Sequence, residues 1–145
     1  MSIKLTLPYA PSINHAHWNT SSGKRVLKPQ ARAFFEEVAA IAQAAQIEPI
    51  SGDVSITMHI YRAATNHDIS NRIKITEDAL QGWAYENDKN VSELHIYKHE
   101  ATKPKNKTAR IEVEVKAASP AAAKAVKQAS GFGQAMLAAF DGTKE

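Results

Sequence analysis

Val54, Ile56, Met58 and Ile60 alternate without a break against Ser55, Thr57, His59 and Tyr61. A period of two sustained that long is a β-strand with one apolar face, and that face has to be covered by a second layer. Two more segments repeat the pattern. Ile3, Leu5 and Leu7 alternate with Lys4 and Thr6 up to Pro8, and Ile111, Val113 and Val115 alternate with Arg110, Glu112, Glu114 and Lys116. A fourth, less regular strand is expected over Val91–Glu100. The covering layer is legible between them. Pro29 to Gln46 is alanine-rich, with Phe34, Val38, Ile41 and Ala45 at helical spacing, and Pro29 suits a first helical turn, where its missing N–H costs little. A second helix is predicted from about Ile69 to Leu80, with an apolar stripe of Ile69, Ile73, Thr76, Leu80 and Trp83 and with Gly82 as its stop. The order β–α–β–α–β–β places the chain in the α/β (α+β) class, a single domain whose mixed β-sheet is covered by two helices. Residues 8–28 read as one long loop with Pro11, Asn14, Asn19 and Gly23 as turn signals, and Lys103–Lys107 as a basic turn.

Composition changes near residue 117. The expectation is a domain over 1–117 followed by an alanine-rich extension over 118–145, partly helical at about 121–129 and 134–140 or flexible. The chain has no cysteine, which excludes disulfides, thiolate metal sites and a cysteine nucleophile. No apolar run approaches the roughly 20 residues of a membrane span. Met1-Ser2-Ile3-Lys4-Leu5 also lacks the apolar region of a signal peptide, so a cytoplasmic protein with no membrane partner is expected. A net charge of +3 and a pI of about 9.1 permit a nucleic-acid partner without requiring one.

Chemistry-bearing residues crowd into His67-Asp68-Ile69-Ser70-Asn71-Arg72-Ile73-Lys74, then Glu77-Asp78, then Asn87-Asp88. On a helix, Asn71, Lys74 and Asp78 lie along one side, oblique to the apolar stripe, with Asp68 at its mouth. A small acidic cluster suits magnesium, which uses few protein carboxylates and keeps several waters. The helix N-terminus also offers free N–H groups to a phosphate. Each residue has a plainer reading too. Asp68, Ser70 or Asn71 suits a helix cap, Lys74 and Asp78 suit a surface ion pair, and Asp88 suits a turn. The long loop carries His15, His17 and Trp18 with Lys24, Arg25 and Lys28, a set fit for a DNA backbone or an unpaired base, or simply a solvated loop. His95 and His99 would share one strand face without a carboxylate partner, and Lys103, Lys105 and Lys107 suit a charged hairpin turn. Gly-rich phosphate loops, nucleophile elbows and His-Glu-x-x-His motifs are absent, so no small-molecule cofactor is expected.

Asp68-Ile69-Ser70-Asn71-Arg72-Ile73-Lys74, followed by Asp78-Ala79-Leu80, resembles the signature of the RusA family of Holliday-junction resolvases, the crossover junction endodeoxyribonucleases. That signature is an Asp-x-Asp-Asn box, a lysine three residues after the asparagine, and an Asp-Ala-Leu one helical stretch later. Asn87-Asp88-Lys89-Asn90-Val91 is similar to the family's Asp-Asp pair with its following polar residue and valine. Leu5-Thr6-Leu7-Pro8-Tyr9-Ala10-Pro11-Ser12-Ile13-Asn14 resembles the family's first strand and Pro-Pro-Ser-x-Asn turn. The likeness runs over about residues 3–115. It implies a bacterial or phage-encoded, magnesium-dependent endonuclease (manganese being the other candidate ion). Such an enzyme resolves four-way DNA junctions by paired symmetric nicks in recombination and repair, as a homodimer. By position it implies Asp68, Lys74 and Asp88 as catalytic residues, Asp68 and Asp88 as metal-binding carboxylates, and Asn71 as a site residue. Two positions depart from the pattern. Ser70 stands where a second aspartate is usual, and Asn87 where the first member of the Asp-Asp pair is usual. Asp78 is best placed to supply the missing carboxylate, which makes the expected metal set Asp68, Asp88 and Asp78. The expected nucleic-acid-binding residues are Asn14, Lys24, Arg25, Asn71 and Arg72. The alternative is a junction- or DNA-binding protein of the same fold whose metal site no longer cleaves, since Ser70 brings no charge. A third reading is an interaction module working through the alanine-rich tail.

Overall fold

Every alternating segment forms a strand in the computed structural model, which describes residues 2–12, 14 and 17–119. His15 and the tail helices expected near 121–129 and 134–140 lie outside the described residues. The chain runs through β1 (Ser2–Pro8), β2 (His17–Asn19), β3 (Arg25–Leu27), α1 (Pro29–Ala44), β4 (Val54–Arg62) and α2 (Ser70–Leu80). A 3-10 turn over Asp88–Asn90 then leads into β5 (Val91–Glu100), the short α3 (Lys105–Thr108) and β6 (Arg110–Ala117).

Four strands make a mixed sheet in the order β1-β6-β4-β5. β6 pairs antiparallel with both β1 and β4, whereas β4 and β5 run parallel. A parallel pair needs a crossover, and α2 supplies it. Register converts the alternation into rows. Ile3, Val115 and Ile56 lie side by side, as do Leu5, Val113 and Met58, and Leu7, Ile111 and Ile60. All nine are buried beneath Phe34 and Val38 of α1 and Ile75 and Leu80 of α2.

Three expectations change. The stretch 8–28 is not all loop, because β2 and β3 form a hairpin within it. Its turn closes through Thr20 N–H donating to the Lys24 carbonyl at 2.8 Å, with Gly23 at φ +81°, a left-handed backbone that glycine adopts without a Cβ penalty. Three-residue strands are too short to show alternation. Lys103–Lys107 is not a plain turn either, since α3 makes one helical turn there. The buried stripe of α2 is Arg72, Ile75, Thr76, Ala79 and Leu80, with Ile69 and Ile73 only partly covered. The helix is thus rotated from the expected setting, because Ile75 and Ala79 reach the sheet better than Ile73. That rotation turns Lys74 and Asp78 outward and Arg72 inward. Gly82 ends the helix as expected, at φ +86°.

No helix among the described residues covers the other face of the sheet, which carries a run of planar groups. Arg110 lies 3.8 Å from the Tyr61 ring centroid, Tyr61 stacks on His99 at 4.6 Å, His99 on His59 at 5.1 Å, and His59 on Tyr97 at 4.9 Å. His95 does have a carboxylate neighbour, against expectation. Glu93 shares its face two residues back, 3.2 Å from His95 Nε2.

Candidate active site

The loop between β4 and α2 is held from behind. Arg62, at the end of β4, pairs with Glu100 and donates from Nη1 to the carbonyls of Thr65 at 2.8 Å and His67 at 3.1 Å. Asp68 then turns the chain into α2, its Oδ1 accepting from the Ser70 backbone N–H at 2.9 Å. That is a side-chain turn one residue ahead of the N-cap, which is Ile69, rather than the helix cap expected of Asp68, and among the described residues the second carboxylate oxygen makes no hydrogen bond.

One turn further along, Lys74 gathers the charged residues. Its Nζ lies 2.9 Å from Asp78 Oδ1 and 3.1 Å from Asp88 Oδ2. Asp78 arrives by helical spacing. Asp88 arrives from the 3-10 turn, where its N–H donates to Gln81 Oε1 at 3.2 Å and Asn87 Oδ1 accepts from Lys89 N–H at 3.0 Å. Asn87, one of the two departures from the family pattern, therefore caps the turn that carries Asp88. Hydrogen bonds that Lys74 donates to Asp78 and then to Asp88 raise its pKa above the ordinary value, so the ammonium stays charged across the neutral range. The side chains of Lys74, Asp78 and Asp88 are 49%, 41% and 39% exposed, open to a macromolecular ligand from solvent. Beneath them Tyr85 is wholly buried and its hydroxyl donates to the Glu77 carbonyl at 2.6 Å, fixing the end of α2. Burial pushes the Tyr85 phenol up, and burial likewise raises the Glu77 carboxyl, with Lys74 opposing and the two aspartates adding to the rise.

Asp68 does not join this group, and among the described residues no three His, Asp or Glu side chains gather closely enough to hold a metal ion. Two carboxylates that share one atom of Lys74 nonetheless converge on a spot fit for a small cation. Magnesium takes one or two carboxylates and completes its shell with water and substrate phosphate, so the residues present fit it.

A second cluster sits behind Asp68, and the sequence reading missed it. Tyr9, just past β1, has its hydroxyl 2.9 Å from His67 Nδ1, and the two rings stack at 5.8 Å. Arg72 lies 4.7 Å from the Tyr9 ring centroid and donates to the Asp68 carbonyl at 3.2 Å. Burial, then Arg72 and Arg62, lower the His67 pKa from its ordinary value. The available signal was an arginine in phase with Ile75, Thr76 and Ala79 on the helix.

The other expected residues are dispersed. Asn71 is half-buried on α2 and its side chain makes no hydrogen bond among the described residues. Lys24 and Arg25 are exposed at the hairpin and make no ion pair among the described residues, and Asn14 is exposed with its N–H donating to Ser12 Oγ at 3.3 Å. Among the described residues no helix is long and apolar enough to cross a membrane.

No curated protein matches the chain. A family model described as Endodeoxyribonuclease RusA matches residues 8–116. That span runs from the end of β1 almost to the end of β6 and takes in α1, α2 and α3, the Lys74 cluster and Asp68. With a match over most of its length and over all of these residues, the chain belongs to the RusA endodeoxyribonuclease family.

Proposed function

We propose that the chain is a magnesium-dependent endonuclease of the bacterial or phage-infected cytoplasm that cuts four-way DNA junctions by paired nicks, acting as a homodimer. The observation that carries this reading is Lys74 held at 2.9 and 3.1 Å between Asp78 and Asp88 on an open surface, in a chain of an endodeoxyribonuclease family. A cation between two exposed carboxylates is arranged to exchange its partners for phosphate oxygens. Lys74 would meet the phosphate and neutralise charge developing on phosphorus or on the leaving oxygen. Asp78 and Asp88 would hold the magnesium, Asp68 would become a third donor only by moving toward them when the ion and DNA bind, and manganese suits the same oxygen ligands. When bound, such an ion supplies charge neutralisation at the phosphate and a more acidic water. Asn14, Lys24, Arg25 and Asn71 would contact the DNA, with Lys24 and Arg25 placed for its backbone. A dimer suits the substrate, because two symmetric nicks need two symmetric sites.

The test is a synthetic four-way junction labelled on each strand and incubated with protein in magnesium or manganese. Paired nicks on opposing strands, lost in Asp88→Asn, are the expected result. Tight junction binding with no nick in either metal would mean that the protein binds without cleaving, and would overturn the proposal.

A further inference from the structure

Arg72 and Lys74 are two residues apart on α2 and therefore point to opposite sides of the helix. On the Arg72 side lies a cleft of about 420 Å³, walled by Pro8, Tyr9, Pro11 and Phe34 and ending on His67 and Arg72. Arg72 is the anomaly of this cleft. It is only 8% exposed, its Nε–H has no partner, and no carboxylate lies within ion-pair distance of it among the described residues. Its other contacts are neutral: the Asp68 carbonyl at 3.2 Å, His67 Nδ1 at 3.5 Å and the face of the Tyr9 ring, with the centroid 4.7 Å away. A buried guanidinium without a counter-charge is unfavourable, and an apolar side chain of similar length would pack against Ile75 and Ala79 without that penalty. The charge at this position points to a ligand that brings an acceptor.

Two acceptors are available in DNA. A phosphate would leave water for mainly apolar walls and meet Glu37 at the cleft rim. A nucleobase fits better. It offers flat apolar faces to Tyr9, Phe34 and the prolines, and carbonyl oxygens or ring nitrogens along one edge. Arg72 has only donors to give, and a neutral His67 whose Nδ1 accepts from Tyr9 or Arg72 carries its proton on Nε2, which makes it a second donor. We infer that this cleft receives one nucleobase unstacked from the DNA beside the cut, held at its acceptor edge by Arg72 and His67. Bases at a branch point are the least costly to extrude, having already lost a stacking neighbour. The inference rests on the nuclease reading above.

The experiment replaces each nucleotide around the crossover, one at a time, by an abasic analogue that keeps sugar and phosphate. Wild-type protein is expected to lose about tenfold in affinity at one position, the effect of one base stacked on an aromatic side chain. Arg72→Met should bind every junction with that weakened affinity and show no position dependence, while its melting temperature holds or rises. Abasic sites without effect, together with a uniform and less salt-dependent loss in Arg72→Met, would identify a phosphate contact and overturn the inference. If Arg72→Met unfolds, the guanidinium is a structural pin and the cleft stands or falls on Tyr9→Leu, which must then abolish the position dependence. If wild-type protein binds no junction, the nuclease reading fails separately. The cleft is then judged by nuclear magnetic resonance of the His67 ring: a shift with millimolar nucleoside but not with inorganic phosphate supports it, and a shift with phosphate alone, or none, refutes it.

Discussion

Replacing Lys74 by methionine should leave the fold nearly intact and stop the chemistry. Two ion pairs are lost, at 2.9 and 3.1 Å, but all three side chains are between 39% and 49% exposed. Exposed pairs are screened and contribute about 0.2–1 kcal/mol each, so the stability lost is on the order of 1 kcal/mol, with a small further loss from Asp78 and Asp88 facing each other unpaired. For a domain of this size that is a fall of about 3–6 °C in Tm. Methionine keeps the stem of the side chain, so packing is little changed. The raised Lys74 pKa means that this contribution is present below the unfolded value near 10.4 and fades as pH rises through the higher folded value. The stability gap between the two proteins should therefore be present at neutral pH and close only in strong alkali. Cleavage should respond on a different scale, because removing one group that meets developing charge costs about 10²–10³ in rate. Single-turnover nicking of a labelled junction in magnesium, beside thermal melts of the same samples, measures both. A rate within about fivefold of wild type, the scale of a lost 1 kcal/mol contact, would show Lys74 to be a surface ion pair and nothing more.

Asp68→Asn and Asp88→Asn should each abolish nicking while leaving junction binding intact or tighter, as gel-shift and nicking assays on one preparation would show; near wild-type cutting by either variant would remove that residue from the site. Asp78→Asn should match them if Asp78 supplies the charge that Ser70 lacks, and Ser70→Asp should lower the magnesium needed for half-maximal nicking; indistinguishable magnesium titrations for wild type and both variants would exclude both effects. Burial raises the Glu77 pKa, so its stabilising share is complete below the unfolded value near 4.3 and lost as pH rises through the folded one. Glu77→Gln should accordingly gain stability relative to wild type at pH 7, in chelator, and lose that gain in acid; equal melts at both pH values would count against it. Light scattering at micromolar concentration should give twice the 15.8 kDa chain mass, and a monomer with and without junction would contradict the dimer.

The four long strands are legible because a period of two survives whatever packs above it. β2 and β3 are not, since three residues are shorter than the pattern that would reveal them. The bounds of α2 follow from the sequence to within a residue, but its buried face does not, because Ile69 and Ile73 compete with Ile75 and Ala79 as an apolar stripe and only the sheet decides between them. The Lys74–Asp78 pair follows from helical spacing. The contact of Lys74 with Asp88 depends on how Gln81 and Asn87 shape the turn. The Tyr9, His67 and Arg72 group needs the end of β1 to close against the loop after β4, and no local pattern carries that information.

Among the described residues β5 has one neighbour in the sheet, the parallel strand β4. Edge segments with few partners open locally at lower free energy than the core, and pairings across an intervening helix form late. Asp88 opens the three-residue turn that runs directly into Val91, so an opening of β5 that loosens this turn would draw it away from Lys74. Local breathing of one border strand would then set the upper temperature of turnover, and the protein would fall silent while its central strands still protect their amides from exchange.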